Sequence, residues 1–95
     1  MAPRAEPTAV VGWGSLHPLG ADADSTWKAV IAGRSGIQTL QAPWAEDLPV
    51  RLAGCVPTGA LDSLSPLLRR RSDRCAQLAL VAAQQAWAMA ENLTK

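Results

Sequence analysis

Ser25-Thr26-Trp27-Lys28-Ala29-Val30-Ile31-Ala32-Gly33-Arg34-Ser35-Gly36-Ile37 is the stretch on which the fold turns. Trp27, Val30 and Ile31 recur at helical spacing, which predicts a helix over Ser25–Ala32 with those three side chains on one face. Asp22 and Asp24 stand where carboxylates cap a first turn, and Gly33 stands where helices end. Immediately upstream, Gly12-Trp13-Gly14-Ser15-Leu16-His17-Pro18-Leu19-Gly20 is a loop rich in turn formers. Before it, Thr8-Ala9-Val10-Val11-Gly12-Trp13 is β-branched at its centre and closed by glycine. That pattern suits a strand buried on both faces, and such a strand needs neighbours.

Downstream the signals become local. From Gln38 to Leu64, Pro43, Pro49 and Pro57 break any long helix, and Gly54 and Gly59 mark turns. Val50-Arg51-Leu52-Ala53 alternates weakly and predicts a short edge strand. Ser65-Pro66 is an N-cap followed by proline at the first helical position, leading through Leu67 and Leu68 into the arginines. The main helix is expected from Asp73 to Ala90, because Cys75, Leu78, Ala79, Ala82, Ala86, Met89 and Ala90 recur at three- and four-residue steps, with Gln77, Gln84, Gln85 and Glu91 largely elsewhere. Its alanines favour helix and let another backbone approach closely. Strand, helix, long excursion and second helix form the beginning of an α/β unit without the following parallel strand. Marginal stability is therefore expected for these residues on their own.

The chain has 95 residues, 48% of them hydrophobic, which limits it to one small domain. A net charge of +1 gives no global attraction to nucleic acid or to an acidic membrane. The longest apolar run, Leu78 to Ala83, is far short of the roughly 20 residues a membrane span requires. Residues 1–8 read as a flexible leader rather than a secretion signal, so a cytoplasmic location is expected. In that compartment Cys55 and Cys75 are expected to be reduced and partly buried. With His17 the only histidine and no Cys-x-x-Cys, a zinc site is not expected.

Several motifs invite chemistry. Gly12-x-Gly14 begins like a dinucleotide-binding turn, but His17 occupies the third glycine position and the helix starts too late, which leaves tight-turn geometry as the use of these glycines. His17 has no evident partner to orient it as a general base and is expected to be structural. Arg69-Arg70-Arg71 with Arg74 places four of the nine basic residues within six positions. Read as a helix start, such a cluster opposes the helix dipole and asks for a reason beyond solvation. Phosphorylation at Ser72 and contact with nucleic acid are weaker readings, since no aromatic platform is interleaved among the arginines. Trp13, Trp27, Trp44 and Trp87 are scattered and are expected to serve packing.

The Gly12–Gly20 loop, the Ser25–Ile37 stretch, Asp47-Leu48-Pro49-Val50-Arg51-Leu52-Ala53-Gly54 and the arginine-rich entry to the last helix together resemble the opening of a β-ketoacyl-acyl-carrier-protein synthase. The likeness runs from Ala9 to Met89. It implies an α/β fold, the N-terminal part of a thiolase-like α-β-α-β-α sandwich, incomplete in this chain, with residues 9–95 as a fragment of the synthase N-terminal domain. The implied reaction is decarboxylative Claisen condensation in fatty-acid or polyketide biosynthesis, needing no metal or redox cofactor. In the family a cysteine at a strand-to-helix turn carries the acyl chain. Neither Cys55 nor Cys75 fits that context, and His17 is not one of the family's active-site histidines. The resemblance thus implies no catalytic residue in this chain, and both cysteines are expected to be packing residues.

What it does imply is a docking role. In similar synthases basic residues on this helix receive the acidic recognition helix of acyl carrier protein, and Arg70 and Arg71 match those positions. A third basic position, one turn earlier, is occupied by Leu67, with Arg69 as the possible substitute. Guanidinium forks suit both the carrier's carboxylates and its phosphopantetheine. The other implied partners are the remainder of the synthase and, in the full-length parent, a second copy. The alternative is a noncatalytic remnant or carrier-interaction fragment of the same ancestry.

Overall fold

Five short elements and one long helix make up the fold, in a computed structural model that describes residues 5–94. In chain order they are α1 (Ala23–Ile31), β1 (Ile37–Thr39), a 3-10 turn (Pro43–Ala45), β2 (Leu52–Gly54), α2 (Pro66–Arg71) and α3 (Arg74–Thr94). Residues 1–4 of the expected leader lie outside the described residues, and residues 5–8 are exposed without regular structure.

Local chemistry sets both ends of α1 and α2 and the start of α3. Asp22 caps α1, its Oδ1 accepting from the Ser25 amide at 2.8 Å and the Ser25 hydroxyl at 2.7 Å. These two bonds, the hydroxyl's first, hold the Asp22 carboxyl below its ordinary value. Asp24 does not cap; it pairs with Lys28 one turn on, at 2.9 Å between two exposed side chains. The Gly33 amide donates to the Val30 carbonyl and the Arg34 amide to that of Ala29, which closes α1 in a Schellman motif with Gly33 at φ +74°. The Ser65 hydroxyl accepts from the Leu68 amide to start α2, and Asp73 Oδ1 accepts from the Ala76 amide to start α3.

The expected edge strand is present, displaced slightly to Leu52–Gly54. It pairs antiparallel with β1, Gln38 opposite Ala53, a partner strand that no alternation in the sequence marks. The expected strand over Thr8–Trp13 forms no ladder. Instead the segment lies along α3 in the opposite direction. A β-carbon on Gly12 would collide with the Ala86 carbonyl, and one on Gly14 with the Ala82 carbonyl. Two extended residues advance about 6.6 Å, nearly the ~6 Å of four helical residues, so alternate positions of the segment track successive turns of the helix. No other residue type fits so close a backbone approach.

Glutamines fasten the rest to α3. Gln85 accepts from the Ser15 amide at 3.0 Å and donates to the Ala21 carbonyl at 2.7 Å. Gln84 accepts from the Ser63 hydroxyl, and Gln77 donates to the carbonyls of both Arg69 and Ser72. The buried cluster is Leu61, Leu64 and Val81, with Leu16 and Leu78 packed against it. Val81 replaces Cys75 and Ala79 in the expected stripe, both of which are exposed, while Leu78, Ala82, Ala86, Met89 and Ala90 are half-buried as their spacing predicts.

Two expectations about faces fail. On α1 the covered side is Ala23, Thr26 and Ala29, and Trp27, Val30 and Ile31 point outward. All four tryptophans, expected in packing, are more than half exposed, from Trp13 at 55% to Trp87 at 71%. The reason is common to both: no element among the described residues lies over those faces. The radius of gyration is 17.7 Å, where a compact chain of this length would have about 12 Å. Among the described residues five apolar ones are buried, of which Ala29 and Ala45 carry only a methyl group.

Two outcomes follow. Calorimetry on the 95-residue chain should show no cooperative transition above about 50 °C, within the range where mesophilic domains melt. Gly14→Val should lift the segment from α3 and speed exchange of the Ser15 amide roughly 5- to 10-fold, the value of one hydrogen bond. Gly33→Ala strains the left-handed end of α1 but adds no atom against α3, and should leave that amide unchanged.

Candidate functional site

The arginine cluster straddles a helix junction. α2 ends at Ser72, whose hydroxyl and amide both donate to the Leu68 carbonyl, and α3 begins two residues later. Arg69, Arg70 and Arg71 therefore occupy the last turn of α2, and Arg74 the first residue of α3. This corrects the expectation of cations at a helix start. At a C-terminal turn the dipole favours them, so the placement of these three carries no electrostatic penalty. The junction is held by Gln77, whose Nε2 lies 2.9 Å from the Arg69 carbonyl and 2.8 Å from that of Ser72. Gln77 was not recognisable as a site residue from sequence, because its half-buried position, a feature Gln85 shares further along α3, depends on what packs opposite.

The three arginines differ in their surroundings. Arg69 approaches Asp62 at 3.6 Å across an exposed surface, a pair of small energetic value. Arg69 and Arg74 border a polar concavity of about 250 Å³ formed with the Val56–Asp62 loop. Arg70 and Arg71 are exposed, and among the described residues neither forms an ion pair. Leu67 and Leu68 beside them are also exposed, at 57% and 42%. The surface thus presents two uncompensated guanidinium groups next to two apolar side chains.

Among the described residues no nucleophilic constellation is assembled. A second concavity of about 410 Å³ lies between Pro18, the β1–β2 hairpin and the Cys55–Thr58 segment. Cys55 borders it, but no histidine or carboxylate lines it. His17 belongs to a tight turn in which it and Gly20 exchange backbone hydrogen bonds, and its Nδ1 accepts from the Leu19 amide at 3.1 Å. Both cysteines are free and exposed, which corrects the expectation that they are partly buried packing residues. Cys75 sits in the first turn of α3, where the helix turns Leu78 and Val81 inward instead, and Cys55 follows the end of β2. Among the described residues no helix is long and apolar enough to cross a membrane.

Comparison with known proteins places this geometry. Residues 5–94 match the family described as the β-ketoacyl synthase N-terminal domain. The chain belongs to that family. It is 39% identical over 88 residues to the tetracenomycin polyketide synthase ketoacyl synthase beta subunit of Streptomyces glaucescens, across 90% of this chain and 20% of that protein. It is 35% identical over 78 residues to the 3-oxoacyl-[acyl-carrier-protein] synthase 2 of Staphylococcus aureus, across 81% of this chain and 19% of that protein. The chain spans about a fifth of the length of these curated relatives. The resemblance read from Ala9 to Met89 thus stands over almost the whole chain.

Exposure of both thiols has a direct check. An aromatic disulfide reagent should titrate two thiols per chain without denaturant, Cys55 and Cys75 alike. A second thiol appearing only in denaturant would contradict the described surface.

Proposed function

We propose that this chain is the N-terminal part of a condensing enzyme of fatty-acid or polyketide biosynthesis, and that Arg70 and Arg71 form part of the surface that receives acyl carrier protein. The parent architecture is the thiolase-like sandwich, with residues 9–95 contributing the start of its first half. The parent reaction joins two carrier-bound acyl groups. A cysteine thiolate displaces the carrier thiol to take the first acyl chain. The malonyl partner then loses carbon dioxide, and the carbanion left behind attacks the thioester, expelling the cysteine and leaving a β-ketoacyl carrier. That cysteine and its histidines lie outside these 95 residues, and the chemistry requires no metal or redox cofactor. Soluble, cytoplasmic action and a homodimeric parent belong to the same reading.

The observation that carries the docking role is the pair of neighbouring, exposed guanidinium groups without a countercharge at the end of α2. A partner with acidic side chains or a phosphate ester would supply it, and guanidinium geometry favours both. Arg69, already shared with Asp62, would contribute less.

The test is binding of the chain to phosphopantetheinylated acyl carrier protein at several ionic strengths. Arg70→Glu with Arg71→Glu should weaken binding at low salt by at least about tenfold and flatten its salt dependence, because like charges would then face each other. Arg69→Ala should change it less. Equal affinity and equal salt slope for the double variant and the unaltered chain would remove the assignment.

A further inference from the structure

The polar concavity of about 250 Å³ beside the Val56–Asp62 loop is lined by two guanidinium groups that come from different helices. Arg69 belongs to the last turn of α2 and Arg74 is the first residue of α3. The junction fixes where both side chains start. Gln77 donates to the Arg69 carbonyl at 2.9 Å and to the Ser72 carbonyl at 2.8 Å, and Asp73, just before Arg74, caps α3.

The concavity is rich in donors and poor in negative charge. Asp62 is the one carboxylate that lines it, and its closest oxygen stands 3.6 Å from the Arg69 guanidinium. That is well beyond the ~2.7–2.9 Å of a charge-assisted hydrogen bond. Arg74 forms no ion pair among the described residues. Thr58 and Gly59 line the same space, and neither their amides nor the Thr58 hydroxyl has a partner among the described residues. Two fixed positive charges and three neutral donors therefore face a single loosely held carboxylate.

The chemistry of a ligand follows from that imbalance. Guanidinium forks take the oxygens of carboxylates and phosphates in pairs. A carboxylate from outside would compete on equal charge with Asp62, which is tethered beside Arg69 and has the advantage of proximity. A phosphate brings about 1.5 to 2 negative charges at neutral pH and three acceptor oxygens. It can displace Asp62 and bridge both arginines.

We propose that this concavity binds a phosphate dianion, free or as a terminal monoester, through Arg69 and Arg74, with Asp62 as the internal carboxylate that the ligand displaces. Arg70 and Arg71 do not border it, so the site is separate from the surface offered to acyl carrier protein and stands without that role. Arg69, Arg74 and Asp62 are all exposed, which leaves the remainder of a monoester a path into water.

The experiment is an NMR titration of the isotope-labelled full chain at about pH 7.5, where phosphate is mostly dianionic. Inorganic phosphate and phenyl phosphate should each move the Gly59 amide and the Nε signals of Arg69 and Arg74 to saturation, while those of Arg70 and Arg71 stay in place. Binding of inorganic phosphate alone assigns the free ion as the ligand. Arg69→Gln with Arg74→Gln should weaken binding at least about tenfold, whereas Arg34→Gln with Arg51→Gln, which removes the same charge outside the concavity, should change it less than about twofold. Asp62→Asn should tighten binding about two- to fivefold, and Glu46→Gln, an equal change of charge beside the 3-10 turn, should not. Sodium chloride of matched ionic strength reproducing the shifts would overturn the proposal. So would all four arginine signals moving together, the two double variants weakening alike, or methyl phenyl phosphate, a diester of single charge, binding as tightly as phenyl phosphate. An unchanged affinity in Asp62→Asn would remove Asp62 as the displaced group.

Discussion

The contact on which the rest of this chain depends is the seating of Gly12 and Gly14 against the carbonyls of Ala86 and Ala82. Two backbones can come this near only where neither carries a bulky side chain. Close seating brings the Ser15 amide and the Ala21 carbonyl within reach of one side chain, Gln85, which binds both. It also delivers Leu16 to the Leu61–Leu64–Val81 cluster, so the apolar packing of the long helix is a consequence of the glycine contact as much as a cause of it. Residues 12–21 and α3 are therefore one unit, and α1 is positioned through the loop that unit holds.

How much of this could be read beforehand follows from the range of each interaction. The caps at Asp22, Ser65 and Asp73 and the glycine terminator of α1 act over three or four residues, and all were legible. The buried faces were not, because burial depends on what lies opposite. Trp27, Val30 and Ile31 have the spacing of a packed helix face, yet nothing among the described residues covers them. The hairpin partner β1 escaped for a similar reason: Ile37, Gln38 and Thr39 are all exposed and show no period-two pattern to mark them.

The site divides along the same line. Arg70 and Arg71 were visible as a charge run, but the sign of their helix-dipole interaction was not, because it turned on whether one helix or two passed through the cluster. Ser72 and Asp73 decide it. Ser72 closes α2 on the Leu68 carbonyl, and Asp73 caps a fresh helix. Two short polar residues thus convert a costly helix start into a favourable helix end for the three arginines. Gln77 of α3 then locks the junction by donating to two carbonyls at the end of α2, those of Arg69 and Ser72, which fixes where the guanidinium groups emerge.

The distribution of apolar surface gives these points a common direction. Trp13, Trp27 and Met89 border an open depression with Ala23 and Asp24, and a separate apolar strip on α3 runs through Leu80, Ala83 and Trp87. Soluble monomers rarely expose several such patches at once. The patches lie on the unseated side of the 8–14 segment, on the outer side of α1 and on the outer side of α3, which are the sides away from the single small cluster of buried residues. A sequence nearly half apolar, with only five buried apolar residues among those described, has placed its hydrophobic capacity at its periphery. Charge is concentrated differently, with Arg70 and Arg71 at a helix end. The molecule thus separates an apolar surface suited to burial from a cationic surface suited to an acidic partner, two kinds of contact that differ in how much water they exclude.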